Sequence, residues 1–425
     1  LGRCGGTVSL ASGATQSGFG RTGTVDWDTS IKTGTVTAVT GKGYFVDTTL
    51  GGITVNLPAA AVGSIVAVSD YASTAASNNI TIEPNGSEKI NAVNDGYIMS
   101  IAGLAVTLVY ADAARGWKSV TGSDADATGE APAYVAATGG TPCAGATSGD
   151  YKIHSFTGPG TLCVSNAGNI SGNNKIDYLV VGAGGSSGGY YGGGGAGGFR
   201  ESVPSPAAWT ASPLASSGGG LTATVSGYPI VVGGGGPAAS PGTVNGNSGS
   251  LSSFSTISSA GGGFGTGQPS GPAAGSGGSG GGEGYQDAGG AGSGNTPSTS
   301  PPQGNDGGEG IPAGGAGGGG GGATTAGGNA TAPGGSSPTG IGGAAGAGAT
   351  TCISATPTAY GGGGGGGGVW LGAGGGTGGG GAGQPGNQDN QPGQTGGVNT
   401  GGGGGARGTL GSGGSGIVII RYKFQ

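Results

Sequence analysis

The chain has 425 residues, 118 of them glycine, with 8% charged and 6% aromatic residues and a net charge of −6. Average glycine usage is roughly 7%, so a core of apolar side chains is confined to the part of the chain where glycine does not dominate. The 13 Lys and Arg are scattered and form no stripe suited to a phosphate backbone, and no apolar run approaches the ~20 residues of a membrane span; nucleic-acid binding and membrane insertion are not expected.

No signal peptide is recognisable, and the sequence starts at Leu1 rather than methionine, so it is expected to be processed or incomplete. Residues 1–23 read as a connecting segment. Residues 24–120 read as a β-sandwich-like module of about eight short strands separated by turn signals. Ile53, Val55 and Leu57 alternate with Thr54 and Asn56, the period of a half-buried strand, and SIVAVSDY (64–71) is apolar on both faces, as an interior strand should be. Turns are expected at Asn85-Gly86, at Asn94-Asp95-Gly96 and at Gly103. A polar, acidic linker spans 121–133. A small β unit follows over 134–181, with strands in YKIHSF, GTLCVS and KIDYLVV.

Glycine dominates residues 182–416, interrupted by two strand-like stretches, LTATVSGYPIVVG and SLSSFSTI. Collagen is excluded because runs such as 361–368 break its strict three-residue register. An ordered segment with so few side chains must satisfy its amides elsewhere. Polyglycine II helices rise ~3.1 Å per residue without internal hydrogen bonds, so every N–H and C=O is free to pair with a neighbouring helix. Ordering a residue costs roughly 1–2 kcal/mol against about 0.5–1.5 kcal/mol returned per hydrogen bond, so only a bundle in which most helices are surrounded will hold. The expected fold is therefore all-β, ending in a packed polyglycine II bundle. Its turns are expected in 295–312, 350–361 and 384–400, and a closing strand at 417–425 should pair near YLVV.

Several motifs have a structural explanation at least as good as a chemical one. Gly182-Ala183-Gly184 through Gly188, with Glu201 downstream, imitates a dinucleotide fingerprint, but the following GGYYGGGGAGG is a very poor helix former, so no cofactor is expected. His154, the single histidine, sits in a strand pattern and is expected to be structural; with so few ligand types, no metal site is expected. The carboxylate pairs Asp26/Asp28, Asp124/Asp126 and Asp306/Glu309 are read as solvated turn or edge residues rather than a glycosidase pair. Cys143 and Cys163 flank a predicted hairpin and are compatible with either a disulfide or free thiols. Trp27, Trp117 and Trp209 lie near β segments and are read as structural. Tyr285, Tyr360 and Trp370 lie in or beside predicted turns, where aromatic rings can stack on sugars or pack within the bundle; Gln388, Asp389 and Asn390 occupy another such turn.

YLVVGAGG, GGGGAGGFRES, VSGYPIVVGGGG and the terminal GGSGIVIIRY, in that order, resemble the glycine-rich domains of phage tail fibres and tail adhesins. Upstream, GTVDWDTSIKT, GYFVDTTLGGITVNLPAA and EPNGSEKI resemble a β-module of marine, cyanophage-like fibre proteins. The resemblance implies a non-catalytic virion protein of the tail fibre, often homotrimeric. It further implies contacts to other tail or fibre proteins, and bundle-tip loops that bind a bacterial surface receptor, a glycan or an outer-membrane protein. A purely structural spacer or decoration protein and a glycan-degrading tailspike are the alternatives.

Overall fold

The computed structural model describes residues 25–120, 132–170, 172–239, 245–267, 273–285, 289–312, 315–333, 339–386, 392–406 and 410–425. The chain divides into two compact units, Leu1–Pro132 with Ile170–Gly172, and Ala133–Asn169 with Asn173–Gln425. Among the described residues there is no α-helix, and no helix is long and apolar enough to cross a membrane.

In the first unit the strands are β1 (Asp26–Lys32), β2 (Val36–Thr37), β3 (Lys42–Val46), β4 (Ile53–Asn56), β5 (Ile65–Asp70), β6 (Ile80–Glu83), β7 (Tyr97–Met99), β8 (Ala105–Asp112) and β9 (Gly116–Ser119). They form two open sheets, ordered β1-β3-β5-β8-β9 and β2-β4-β6-β7. Successive strands up to β6 alternate between the sheets, so neighbours within each sheet run parallel: β1 with β3 and β5, β2 with β4 and β6. Only the closing strands β7, β8 and β9 pair antiparallel. The alternation read from Ile53 and Val55 buries those side chains against Val66, Val68, Leu108 and Trp117 of the other sheet. Trp117 is fully buried and donates its indole N–H to Glu88 at 3.1 Å.

The second unit holds β10 (Val135–Thr138), β11 (Thr141–Ser148), β12 (Tyr151–Phe156), β13 (Gly160–Ala167), β14 (Lys175–Val181), β15 (Phe199–Val203), β16 (Ala215–Ser217), β17 (Leu221–Thr222), β18 (Gly227–Val231), β19 (Ser252–Phe254), β20 (Ile257–Ser259), β21 (Ala349–Thr351), β22 (Thr358–Tyr360) and β23 (Ile417–Lys423). The closing strand β23 is inserted between β12 and β14, with Val181 opposite Ile417 and Asp177 opposite Arg421. Its apolar run IVII is read by both faces of the sheet. Val418 and Ile420 pack with Leu162, Tyr228 and Phe254 of the sheet β10-β13-β18-β19-β20, while Ile417 and Ile419 pack with Phe199, Ile353 and Tyr360.

Residues 182–188 continue β14, and residues 192–198 lead back into β15. These stretches are polyglycine II threads, and their hydrogen bonds repeat every third residue. Gly182, Gly185 and Gly188 donate to Gly198, Gly195 and Gly192; Ala183 and Ser186 donate to Ser250 and Asn247; Gly184 and Ser187 donate to Gly414 and Gly411, all at 2.8–3.0 Å. Thread 316–322 has the same threefold order. Gly317 and Gly320 donate to Gly367 and Gly364, Gly318 and Gly321 to Glu283 and Gly280, Gly319 and Gly322 to Gly328 and Thr325. Each interior thread therefore donates in three directions, as the helix symmetry dictates. The expected turn segments contain threads of their own: Asn305 and Gly308 donate to Gly322 and Gly319, and Gln394 and Gly397 donate to Ala382 and Gly379. Asp306 and Glu309, three residues apart, share the exposed side of the first of these.

Glycine is required in the threads by space, not by torsion. The interior residues Gly194 and Gly320 do not have a left-handed φ, yet a Cβ on Gly194 would strike the carbonyl oxygen of Gly185, and one on Gly320 that of Gly194. At Gly374, in an outer thread, a Cβ would meet nothing within 4 Å. Gly194→Ala is therefore expected to cost at least the 1–3 kcal/mol typical of overpacking. Gly374→Ala should be neutral, or stabilising by roughly 0.4–1 kcal/mol through the unfolded state. Guanidinium unfolding of the two variants checks this, and equal effects would contradict the lattice.

Candidate functional site

The thread directions give the bundle two distinct ends. Thread 182–188 leaves the sheet at Val181 and thread 192–198 returns to it at Phe199, so Tyr190 and Tyr191 lie at the end remote from the sheet. Tyr285 joins them: Gly282 donates to Gly193 and Tyr285 to Tyr190, at 2.7 and 3.2 Å. Trp370 is at this end too, because Gly364 donates to Gly194 and Gly367 to Tyr191, so thread 361–368 runs away from the sheet.

The three tyrosines form one cluster. The Tyr285 ring lies 5.6 Å from that of Tyr190 and 5.5 Å from that of Tyr191, tilted 48° and 45°. Tyr191 lies across the ends of two threads, since a Cβ on Gly367 would sit 2.5 Å from its ring and one on Gly386 would sit 3.0 Å from its hydroxyl. Tyr190 is 36% exposed and Trp370 56%. Tyr190 and Tyr191 were not among the expected tip residues. Their signal was a pair of rings midway through a glycine run bounded by two strand motifs.

Tyr360 is the correction. It ends β22, pairs with Ala349, and is buried at the sheet end of the bundle beside Ile353 and Phe199. The TTCISATPTAYG segment does interrupt the glycine, but thread 361–368 starts from it and runs away from the sheet, which fixes the segment at the anchored end. Gln388, Asp389 and Asn390 lie outside the described residues, as do Asp124 and Asp126.

The other sequence candidates have mundane environments. Cys143 and Cys163 are both free and exposed, the second of the two alternatives left open by the sequence: Cys143 is in β11 and Cys163 in β13, strands of different sheets. His154 is buried, with Nδ1 2.7 Å from the Gly139 carbonyl and Nε2 3.0 Å from the Tyr422 hydroxyl; burial lowers its pKa. Asp26 and Asp28 form surface ion pairs with Lys42 and Lys32, an arrangement of small energetic weight. Glu309 faces Glu283 rather than acting with Asp306. Glu283 accepts N–H bonds from Gly290 and Gly310, and burial with the nearby Glu309 carboxylate raises its pKa. Among the described residues, no group of three or more His, Cys, Asp or Glu side chains is arranged to hold a metal.

A family profile described as Glycine-rich domain matches residues 164–423, from within β13 to the last residue of β23. The chain belongs to this glycine-rich domain family. No curated protein matches the chain. The matched span thus includes both the threads of the glycine-rich domain and the two strands, β14 and β23, between which they depart and return.

A buried polar cluster ties the hairpin β21–β22 to the sheet of the glycine-rich domain. The Arg421 guanidinium donates to the carbonyls of Cys352 and Ile353 at 3.0 and 3.2 Å and lies 4.3 Å over Trp209. Glu201 accepts from the Ser212 N–H and the Thr351 hydroxyl, and Asp177 from the Ser202 hydroxyl. Burial raises the pKa of both acids, pushing that of Asp177 up to about 6. An acid raised in the folded state contributes stability that is complete below its unfolded pKa of about 3.9 and is lost as pH rises through about 6. Asp177→Asn should flatten the fall in stability between about pH 4 and 7 and leave the domain more stable at neutral pH, by up to ~3 kcal/mol. Denaturant unfolding across that range is the check; a variant less stable at neutral pH would show that attraction to Arg421 outweighs desolvation.

Proposed function

We propose that this protein is a non-catalytic, surface-recognising component of a phage tail fibre, in which the bundle end remote from the sheet contacts a bacterial receptor. The observation that carries this reading is the gathering of Tyr190, Tyr191, Tyr285 and Trp370 at one end of a hydrogen-bonded lattice. Loops on rigid scaffolds are where binding residues concentrate, and aromatic side chains dominate binding hot spots. The ordered motifs of residues 24–425 that resemble marine phage fibre proteins supply the virion context. On the same grounds the unit containing β1–β9 assembles as a homotrimer and joins other tail or fibre proteins.

Labelled full-length chain should adsorb to some members of a panel of cyanobacterial and other marine bacterial strains. The double variant Tyr285→Ala/Trp370→Ala should lose at least about tenfold in affinity, the loss expected for hot-spot aromatics. Val398, 76% exposed at the sheet end, serves as control, and Val398→Ala should bind as the parent does. Adsorption indifferent to the double variant would favour a spacer role. Light scattering should return three times the chain mass of 38.7 kDa; a monomer would remove the trimer from the reading.

A further inference from the structure

The geometry points to the Tyr190–Tyr191–Tyr285 cluster as a binding site for an uncharged hexose ring, the terminal or exposed sugar of a surface glycan. The inference rests on the recognition reading above and names the ligand chemistry of that end. Tyr191 is held in place. Its φ of 79° lies in the left-handed region that side chains other than glycine seldom enter, and its ring is seated on Gly367 and Gly386, positions where any side chain would collide with it. A residue kept in such a conformation by its surroundings is a common feature of ligand clamps.

Tyr285 stands against this fixed ring, and Tyr190 stands against Tyr285 with its outer surface open. Mutually tilted rings cannot cover one another's faces, so apolar π surface remains for the C–H face of a sugar. Tyr rings combine that surface with a polar tip. No hydrogen bond is formed by the Tyr190 or Tyr285 hydroxyl among the described residues, which leaves both to meet sugar hydroxyls. The described charges near the cluster, Glu283 and Glu309, are acidic and disfavour an anionic ligand. Of the two basic residues between 182 and 415, Arg200 lies on β15 at the sheet end and Arg407 lies outside the described residues.

The test uses full-length chain and an array carrying maltose-, mannose- and galactose-based neutral oligosaccharides beside sialylated and uronic-acid-containing ones. Retention on one or more neutral sugars is expected, falling at least about tenfold in Tyr190→Ala and in Tyr285→Ala and less in Tyr285→Phe, which keeps the ring. Tyr190→Ala, at the exposed rim, keeps the test decisive should Tyr285→Ala disturb the fold, and equal melting temperatures establish that it does not. Retention only of anionic sugars, or neutral-sugar retention untouched by both Ala variants, overturns the assignment. Cell adsorption separates this from the broader reading. Adsorption that survives periodate oxidation of cell-surface sugars but is lost on protease treatment overturns the glycan and leaves recognition standing. Failure to adsorb to any strain overturns both.

Discussion

The glycine-rich domain depends on one interaction, the amide-to-amide hydrogen bond between polyglycine threads that have no Cβ to hold them apart. Such a bond returns about as much free energy as ordering one residue costs, so a thread with a single neighbour gains little. The interior threads 192–198, 316–322 and 361–368 escape this limit by donating to several neighbours in turn, and their backbone is buried throughout. The usual order of protein architecture is inverted here: the buried solid is mostly backbone, with only small side chains such as Ala196 and Ser187 inside it.

A lattice of this kind has little to fix its register, because one glycine resembles the next. The sheet supplies that information. β14 and β15 hand their antiparallel pairing directly to threads 182–188 and 192–198, and β23 receives the last thread back between β12 and β14. Side-chain packing on both faces of that sheet, by Val418 and Ile420 on one and Ile417 and Ile419 on the other, fixes positions that polyglycine cannot. The Arg421, Glu201 and Asp177 cluster adds the hairpin β21–β22 to the same anchor. An added Cβ has no room at interior positions such as Gly194 and Gly320, whereas Tyr190 and Trp370 at the remote end are exposed.

Much of this was legible in the residues. Broken three-residue registers ruled out collagen, and the shortage of side chains forced the amides to pair between threads. The IVII run at the end of the chain and YLVV before the glycine had to be neighbours in one sheet. The polar segments were harder. GNDGGEG belongs to a segment whose Pro, Asn, Asp, Ser and Thr content signals a turn, yet Asp306 and Glu309 recur at the three-residue period of a thread and occupy its outward side. In the first unit the alternation of Ile53 and Val55 located buried strands, but nothing local announced that successive strands would alternate between sheets and so pair in parallel.

The sequence by itself determined which segments could be threads, because only glycine permits backbone atoms to approach that closely, and which segments could anchor them, because only apolar strands can be buried on two faces. The tertiary structure alone decided which turns share an end. Whether a turn is near or far depends on the direction of the thread before it, a property summed over the whole path of the chain. Tyr360 and Tyr285 are each a tyrosine beside a glycine run. The lattice buries one against the sheet and presents the other beside Tyr190 and Tyr191.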